Sequence, residues 1–200
     1  RDRSVSRGLG DVYKRQLATP LLLQVLTENG RADLAYKLMN QRDFPSYGYL
    51  ADKKNNTLWE TWNGDGNDEG CGHCHPMFGS VVAWFYHSLA GIKPDQSDPG
   101  MKHFYIEPMI VPDLKYCRAT YDSQYGKISS DWKIDENGNL NIKIEVPANT
   151  SATVIIPDWG GRTVLESGKP VSEVSNIVID KVDSAWMEVS SGVYHFVILK

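Results

Sequence analysis

Thr57-Leu58-Trp59-Glu60-Thr61-Trp62-Asn63-Gly64 places one carboxylate between two tryptophans, and a Gly/Asp-rich run follows (Asp65, Gly66, Asn67, Asp68). Tryptophan is costly to expose, so the pair marks an apolar wall. A carboxyl group set into such a wall is either a proton-handling group or a solvated neighbour of ordinary core packing. The octapeptide leaves both readings open, and the flanking chain has to decide between them.

On its N-terminal side the pattern is helical. Leu17, Leu21, Leu22, Val25 and Leu26 recur at helical spacing, and Glu28-Asn29-Gly30 supplies a stop. A second amphipathic helix is expected over Arg31–Gln41, with Leu34, Ala35, Leu38 and Met39 on one face. The short Asn-Gly connection makes the two antiparallel neighbours. Phe44-Pro45-Ser46-Tyr47-Gly48-Tyr49 then reads as an aromatic loop. On the C-terminal side, a polar loop too long for a minimal connector leads to a third helix from His75 or Pro76 to Leu89. That helix is apolar on nearly all sides (Met77, Phe78, Val81, Val82, Trp84, Phe85, Leu89), as expected of a helix buried in a larger helical domain.

Ala90-Gly91-Ile92-Lys93-Pro94 and the polar run to Gly100 mark a boundary. Beyond it, alternating runs recur at Phe104–Ile106, Tyr116–Tyr121, Lys127–Ile134, Leu140–Val146, Ala152–Ile156, Ser175–Ile179, Ala185–Val189 and Val193–Leu199. Turn signals separate them: Glu136-Asn137-Gly138-Asn139, Pro157-Asp158-Trp159-Gly160-Gly161 and Ser190-Ser191-Gly192. Short strands at this spacing predict an antiparallel β-sandwich. It carries no clustered carboxylates and no phosphate loop, so its role is read as structural, with sugar binding as a weaker alternative. The fold class is α + β, multidomain.

Composition excludes several functions. No run approaches the roughly 18 apolar residues of a membrane span. The net charge of −4 and pI near 5.7 argue against a nucleic-acid surface. Six Trp and ten Tyr suit sugar recognition and β-sheet cores alike. Residues 1–16 stand apart, with five basic and two acidic side chains and no apolar stripe. They resemble translated sequencing-adapter DNA and are set aside as non-native, which implies a truncated chain.

Cys71-Gly72-His73-Cys74-His75 fits the spacing of c-type haem attachment. Pro76 follows at once and leads into an apolar helix, which does not suit a porphyrin. The same two Cys and two His are too tightly spaced to surround zinc at about 2.0–2.3 Å without severe strain. The reading is therefore no metal and no cofactor, with incidental cysteines in a polar loop.

A resemblance carries the chain further. The runs TLWETWNGDG (57–66), HPMFGSVVAWFYHSLAGI (75–92) and GMKHFYIEPMIV (100–111), with the Tyr125-Gly126-x-Ile128-x-Ser130-x-Trp132 hairpin, resemble the C-terminal portion of bacterial α-L-rhamnosidases, glycoside hydrolase family 78. The likeness runs from Leu17 to Lys200. It implies the terminal helices of an (α/α)6 barrel at 17–97, truncated at its start, and a C-terminal β-sandwich at 98–200. It also implies an inverting hydrolase that removes terminal α-L-rhamnose from glycosides or polysaccharide side chains, exported to the periplasm or beyond. The family's motif glutamate falls on Glu60, as general base. Its motif histidine falls on His75, as a sugar contact. Trp59 and Trp62 would form an aromatic wall, and Tyr47 stands where relatives carry a stacking Trp.

One departure is Cys74, where the family has Asn before the motif histidine. A thiol is a poor hydrogen-bond donor, so any contact of that Asn is weakened. The general acid is expected upstream, in the missing part of the barrel; Asp65, Asp68 and Glu69 are not assigned to it. The chain alone is accordingly expected to be inactive. The alternatives are another (α/α)-barrel glycosidase with a different sugar, or a non-catalytic carbohydrate-binding protein.

Overall fold

A helix over residues 21–28 (α1) ends where Asn29-Gly30 predicts. Gly30 takes a left-handed φ of 72°, Arg31 N–H returns to Leu26 O at 2.7 Å and Gly30 N–H to Thr27 O at 3.1 Å. These two bonds satisfy carbonyls that the last helical turn would otherwise leave orphaned. The protein is described here by a computed structural model covering residues 21–53, 57–62, 72–156, 160–181 and 186–200. The expected adapter-like peptide at 1–16 lies outside those residues. The chain divides into two units, one ending at Trp84 and the other spanning Phe85–Lys200.

In the first unit, α2 (Ala32–Asn40) buries Ala35 completely. The expected aromatic loop proves to be partly helical: α3 spans Tyr47–Asp52, and Ser46 caps it by accepting a hydrogen bond from Tyr49 N–H at 3.0 Å. Gly48 disguised this helix in the sequence. A Cβ there would lie 2.4 Å from Gln41 O, so glycine answers a close backbone approach and not a turn. The third expected helix is broken into α4 (Pro76–Gly79) and α5 (Val81–Trp84). It is not buried all round: Val81 and Trp84 are buried while Val82 is 49% exposed. Trp84 Nε1 donates to Thr27 Oγ1 at 2.9 Å, tying α5 to α1.

The second unit opens with a π-helical turn, Phe85–Leu89, closed by Ala90 N–H to Phe85 O at 2.9 Å. Nine strands follow among the described residues: β1 Ile92–Pro94, β2 His103–Ile106, β3 Tyr116–Ser123, β4 Gly126–Ile134, β5 Leu140–Ile155, β6 Val164–Glu166, β7 Lys169–Pro170, β8 Ile177–Lys181 and β9 Trp186–Ile198. They pair in the order β1-β2-β5-β9-β6-β7, with β3 and β4 branching from β5 and β8 from β9. The long β5–β9 ribbon therefore has different neighbours along its length: β4 beside residues 140–145 and β2 beside residues 151–154. Strands β5 and β9 each merge two expected strands. Between the two expected runs of β5, from Pro147 to Thr150, the chain continues as a strand with Asn149 at φ 61° and a register shift between Val146 and Ser151.

The pairing departs from the antiparallel expectation at one place, since β2 and β5 run parallel. Parallel neighbours need a long crossover, and the β3–β4 hairpin lies within it. The core of the unit follows the period-2 alternation. Ile128, Ser130 and Trp132 of β4 and Ile142 and Ile144 of β5 point inward, with Phe196 and Ile198 of β9. Trp132 Nε1 donates to Leu89 O and Ser130 Oγ to Ala90 O, both at 2.7 Å, so β4 satisfies the carbonyls at the end of the π turn.

A polar cluster joins β2, β5 and β9. Asp95 accepts from Ser97 N–H (2.8 Å) and Ser97 Oγ (2.7 Å) and lies 2.7 Å from His103 Nδ1. His103 Nε2 is 3.0 Å from Thr153 Oγ1, which donates to Glu188. The Ser97 bonds, aided by His103, hold the Asp95 carboxyl down from 3.8 to about 2. A depressed folded-state pKa adds stability above the unfolded value, and that stability is lost as pH falls through the folded one. Asp95→Asn should therefore melt at a lower temperature than the parent at pH 5, and the gap should close between about pH 4 and pH 2. A gap that stays constant across that window would refute the assignment.

Candidate active site

The Trp-Glu-Trp stretch is held by a backbone neck. Glu60 N–H donates to Gly72 O at 2.8 Å and His75 N–H to Leu58 O at 2.9 Å, closing the intervening loop at its base. Residues 63–71 of that loop, with Asp65, Asp68, Glu69 and Cys71, lie outside the described residues. Gly72 N–H also donates to Glu60 Oε2 at 3.0 Å. One residue, Gly72, thus fixes Glu60 at both its main chain and its carboxylate.

This neck also sets Glu60 and His75 against the same glycine. A Cβ on Gly72 would lie 3.4 Å from Glu60 Oε2 and 4.0 Å from His75 Cδ2, so both side chains border the same α-carbon. Both Glu60 and His75 are half-buried, which leaves them open to solvent. A carboxylate held by an N–H on one oxygen has a fixed plane and can take a proton from a water placed beside it.

Trp59 and Trp62 are 7% and 4% exposed and pack in one cluster with Leu50. Tyr47, at the start of α3, meets Trp62 edge-on with ring centroids 5.3 Å apart. Burial pushes its phenol above the usual range, so the hydroxyl stays protonated. His73 lies over Trp59 at 5.2 Å, tilted 31°. The structure therefore brings Glu60 and His75 together around Gly72, and Tyr47 and Trp62 together on the α3 side. Cys74 is exposed. Gly72 and His73 are the neighbours that the sequence reading passed over. Both sit inside the apparent haem signature, and a contact across a loop leaves no local pattern to find.

Residues 12–89 match the bacterial alpha-L-rhamnosidase 6 hairpin glycosidase domain, and residues 91–169 match the bacterial alpha-L-rhamnosidase C-terminal domain. The chain belongs to the bacterial α-L-rhamnosidase family. An α-L-rhamnosidase of Streptomyces avermitilis is 39% identical over 147 residues, covering 70% of this chain and 14% of the relative. One from Formosa agariphila is 31% identical over 188 residues, covering 90% of this chain and 20% of the relative. The chain thus spans a fifth or less of the length of those two relatives. Among solved structures, the α-L-rhamnosidase from Dictyoglumus thermophilum superimposes with a TM-score of 0.81 at 34% identity, over 92% of this chain and 21% of its own. The Streptomyces avermitilis α-L-rhamnosidase complexed with L-rhamnose gives 0.77 at 34% identity, over 91% of this chain and 17% of its own.

Proposed function

We propose that this chain is the C-terminal part of a longer inverting glycosidase that removes terminal α-L-rhamnose from glycosides or polysaccharide side chains, with Glu60 as its general base. The observation that carries this reading is the clamp on Glu60. Its carboxylate is oriented by Gly72 N–H, borders His75 and remains solvent-accessible. In an inverting reaction the base holds a water against the anomeric carbon, and a second carboxyl about 6.5–9.5 Å away protonates the leaving oxygen. That second group belongs to the length the relatives have beyond this chain. His75 would hydrogen-bond the sugar, and Trp59, Trp62 and Tyr47 would form the apolar side of the pocket. The methyl group of rhamnose suits such a surface.

The same reading assigns residues 17–97 to the terminal helices of an (α/α)6 barrel and 98–200 to a β-sandwich. A wall of aromatic side chains and a fixed carboxylate then sit at the barrel mouth. The relative solved with L-rhamnose supports the choice of sugar.

The test is a panel of aryl glycosides offered to the longer protein, with the product anomer followed by NMR in the first minutes. Cleavage of the α-L-rhamnoside with initial release of the β-anomer is expected. Initial release of the α-anomer would overturn inversion, and preference for another sugar would overturn the substrate.

A further inference from the structure

The outward faces of β3, β4 and β5 carry two adjacent transverse rows, Arg118–Asp131–Lys143 and Tyr116–Lys133–Asn141, fixed by the strand register. Five of these side chains line a shallow cleft of about 100 Å³: Arg118, Asp131, Lys133, Asn141 and Lys143. Arg118 and Asp131 neutralise each other through bonds of 2.8 Å from Nε and Nη2 to one carboxylate oxygen. Lys133 and Lys143 remain, and neither forms an ion pair with a described residue. Other lysines of this unit do: Lys93 pairs with Glu107 at 2.6 Å and Lys127 with Glu145 at 2.8 Å.

Lys133 and Lys143 are diagonal neighbours on one sheet face, a placement of about 7–8 Å that lets two long side chains reach the same point. Like charges so placed repel, and an anion between them reverses the sign of that interaction. The cleft thus carries two unpaired positive charges on a chain whose net charge is −4. Asn141 is fixed beside it, its amide donating to Asp135 Oδ2 at 3.3 Å and Asn139 O at 3.4 Å. Tyr116, directly paired with Lys133, stands 68% exposed on a strand that, among the described residues, pairs with β4 alone. An exposed ring beside fixed polar groups is a surface for the apolar face of a sugar.

We propose that this face binds a uronic-acid residue of a saccharide chain, with Lys133 and Lys143 on the carboxylate and Tyr116 against the ring. The choice of a saccharide over another carboxylate rests on the glycosidase reading above. The attraction of two unpaired lysines for a carboxylate does not depend on that reading.

The test is calorimetric titration of the 200-residue chain with trigalacturonate, maltotriose and tripolyphosphate. Trigalacturonate should bind and the neutral sugar should not. Lys133→Ala with Lys143→Ala should weaken binding roughly tenfold or more, since two charge-assisted bonds go. Tyr116→Ala should weaken it roughly fivefold. These are surface positions, and circular dichroism checks that each variant keeps its fold; Lys133→Gln serves if the double variant does not. Absence of trigalacturonate binding, equal binding of tripolyphosphate, or indifference to the lysines would overturn the proposal. Rhamnoside cleavage by the longer protein is measured separately on a neutral aryl substrate. Its loss would sink the glycosidase reading and leave the binding result to stand by itself.

Discussion

Glu60→Gln in the longer protein should lower kcat by roughly 10²–10⁴-fold, the range that general base catalysis supplies. KM for an aryl rhamnoside should change by no more than about threefold, because the amide occupies the same volume and loses only proton acceptance. The fold should survive, since the Gly72 N–H that meets Glu60 Oε2 at 3.0 Å can donate to an amide oxygen as well. His75→Ala provides the contrast. Deleting a hydrogen bond that the sugar makes equally in ground and transition state raises KM more than it lowers kcat. If Glu60→Gln kept more than about a tenth of the parent kcat, general base catalysis at this residue would be excluded.

How far the sequence foretold these features depended on the range of the interactions that made them. Strands β3 and β4 were legible because more and less exposed residues alternate from Tyr116 to Thr120 and again from Lys127 to Lys133. The stop after α1 was legible for the same reason: Asn29-Gly30 acts within one turn. The short strands β1, β6 and β7 were not, since two or three residues carry no period. Gly192, in the Ser190-Ser191-Gly192 turn signal, suggested a break in β9, but the strand runs through because β5 continues beside it on the other side of the irregularity. In the site, the octapeptide by itself left Glu60 open between a proton-handling group and a solvated neighbour, and the resemblance alone marked it as a base. The hold on Glu60 by Gly72 could not be read, as it closes a loop whose two ends are twelve positions apart. His73 over Trp59 was hidden likewise, because a ring contact between residues on opposite sides of the loop leaves no periodic signal in the sequence.

Trp132 shows the same division between local signal and distant consequence, and its loss should have the largest effect on stability. The alternation of β4 places it inward, where it is 0% exposed among Ile128, Ile142 and Phe196 of the same core. Its indole also donates to Leu89 O at 2.7 Å, a bond across 43 positions that no local pattern announces. Trp132→Ala would remove the largest fully buried side chain and leave a cavity, a change that costs about 3–5 kcal/mol. It would also leave the carbonyl of Leu89 buried without its donor, a further penalty of about 1–3 kcal/mol if no water enters. Folded domains have only about 5–15 kcal/mol in hand, so the second unit should be largely unfolded or near its midpoint at 37 °C. Trp132→Phe separates the two contributions, since it keeps most of the volume and removes only the donor; it should cost about 1–2 kcal/mol. Urea titrations followed by far-ultraviolet circular dichroism would resolve them, with the alanine variant shifted by roughly 2 M and the phenylalanine variant by less than about 1 M. Equal shifts for the two variants would mean that the hydrogen bond to the end of the π turn, and not the filled core, is what Trp132 supplies.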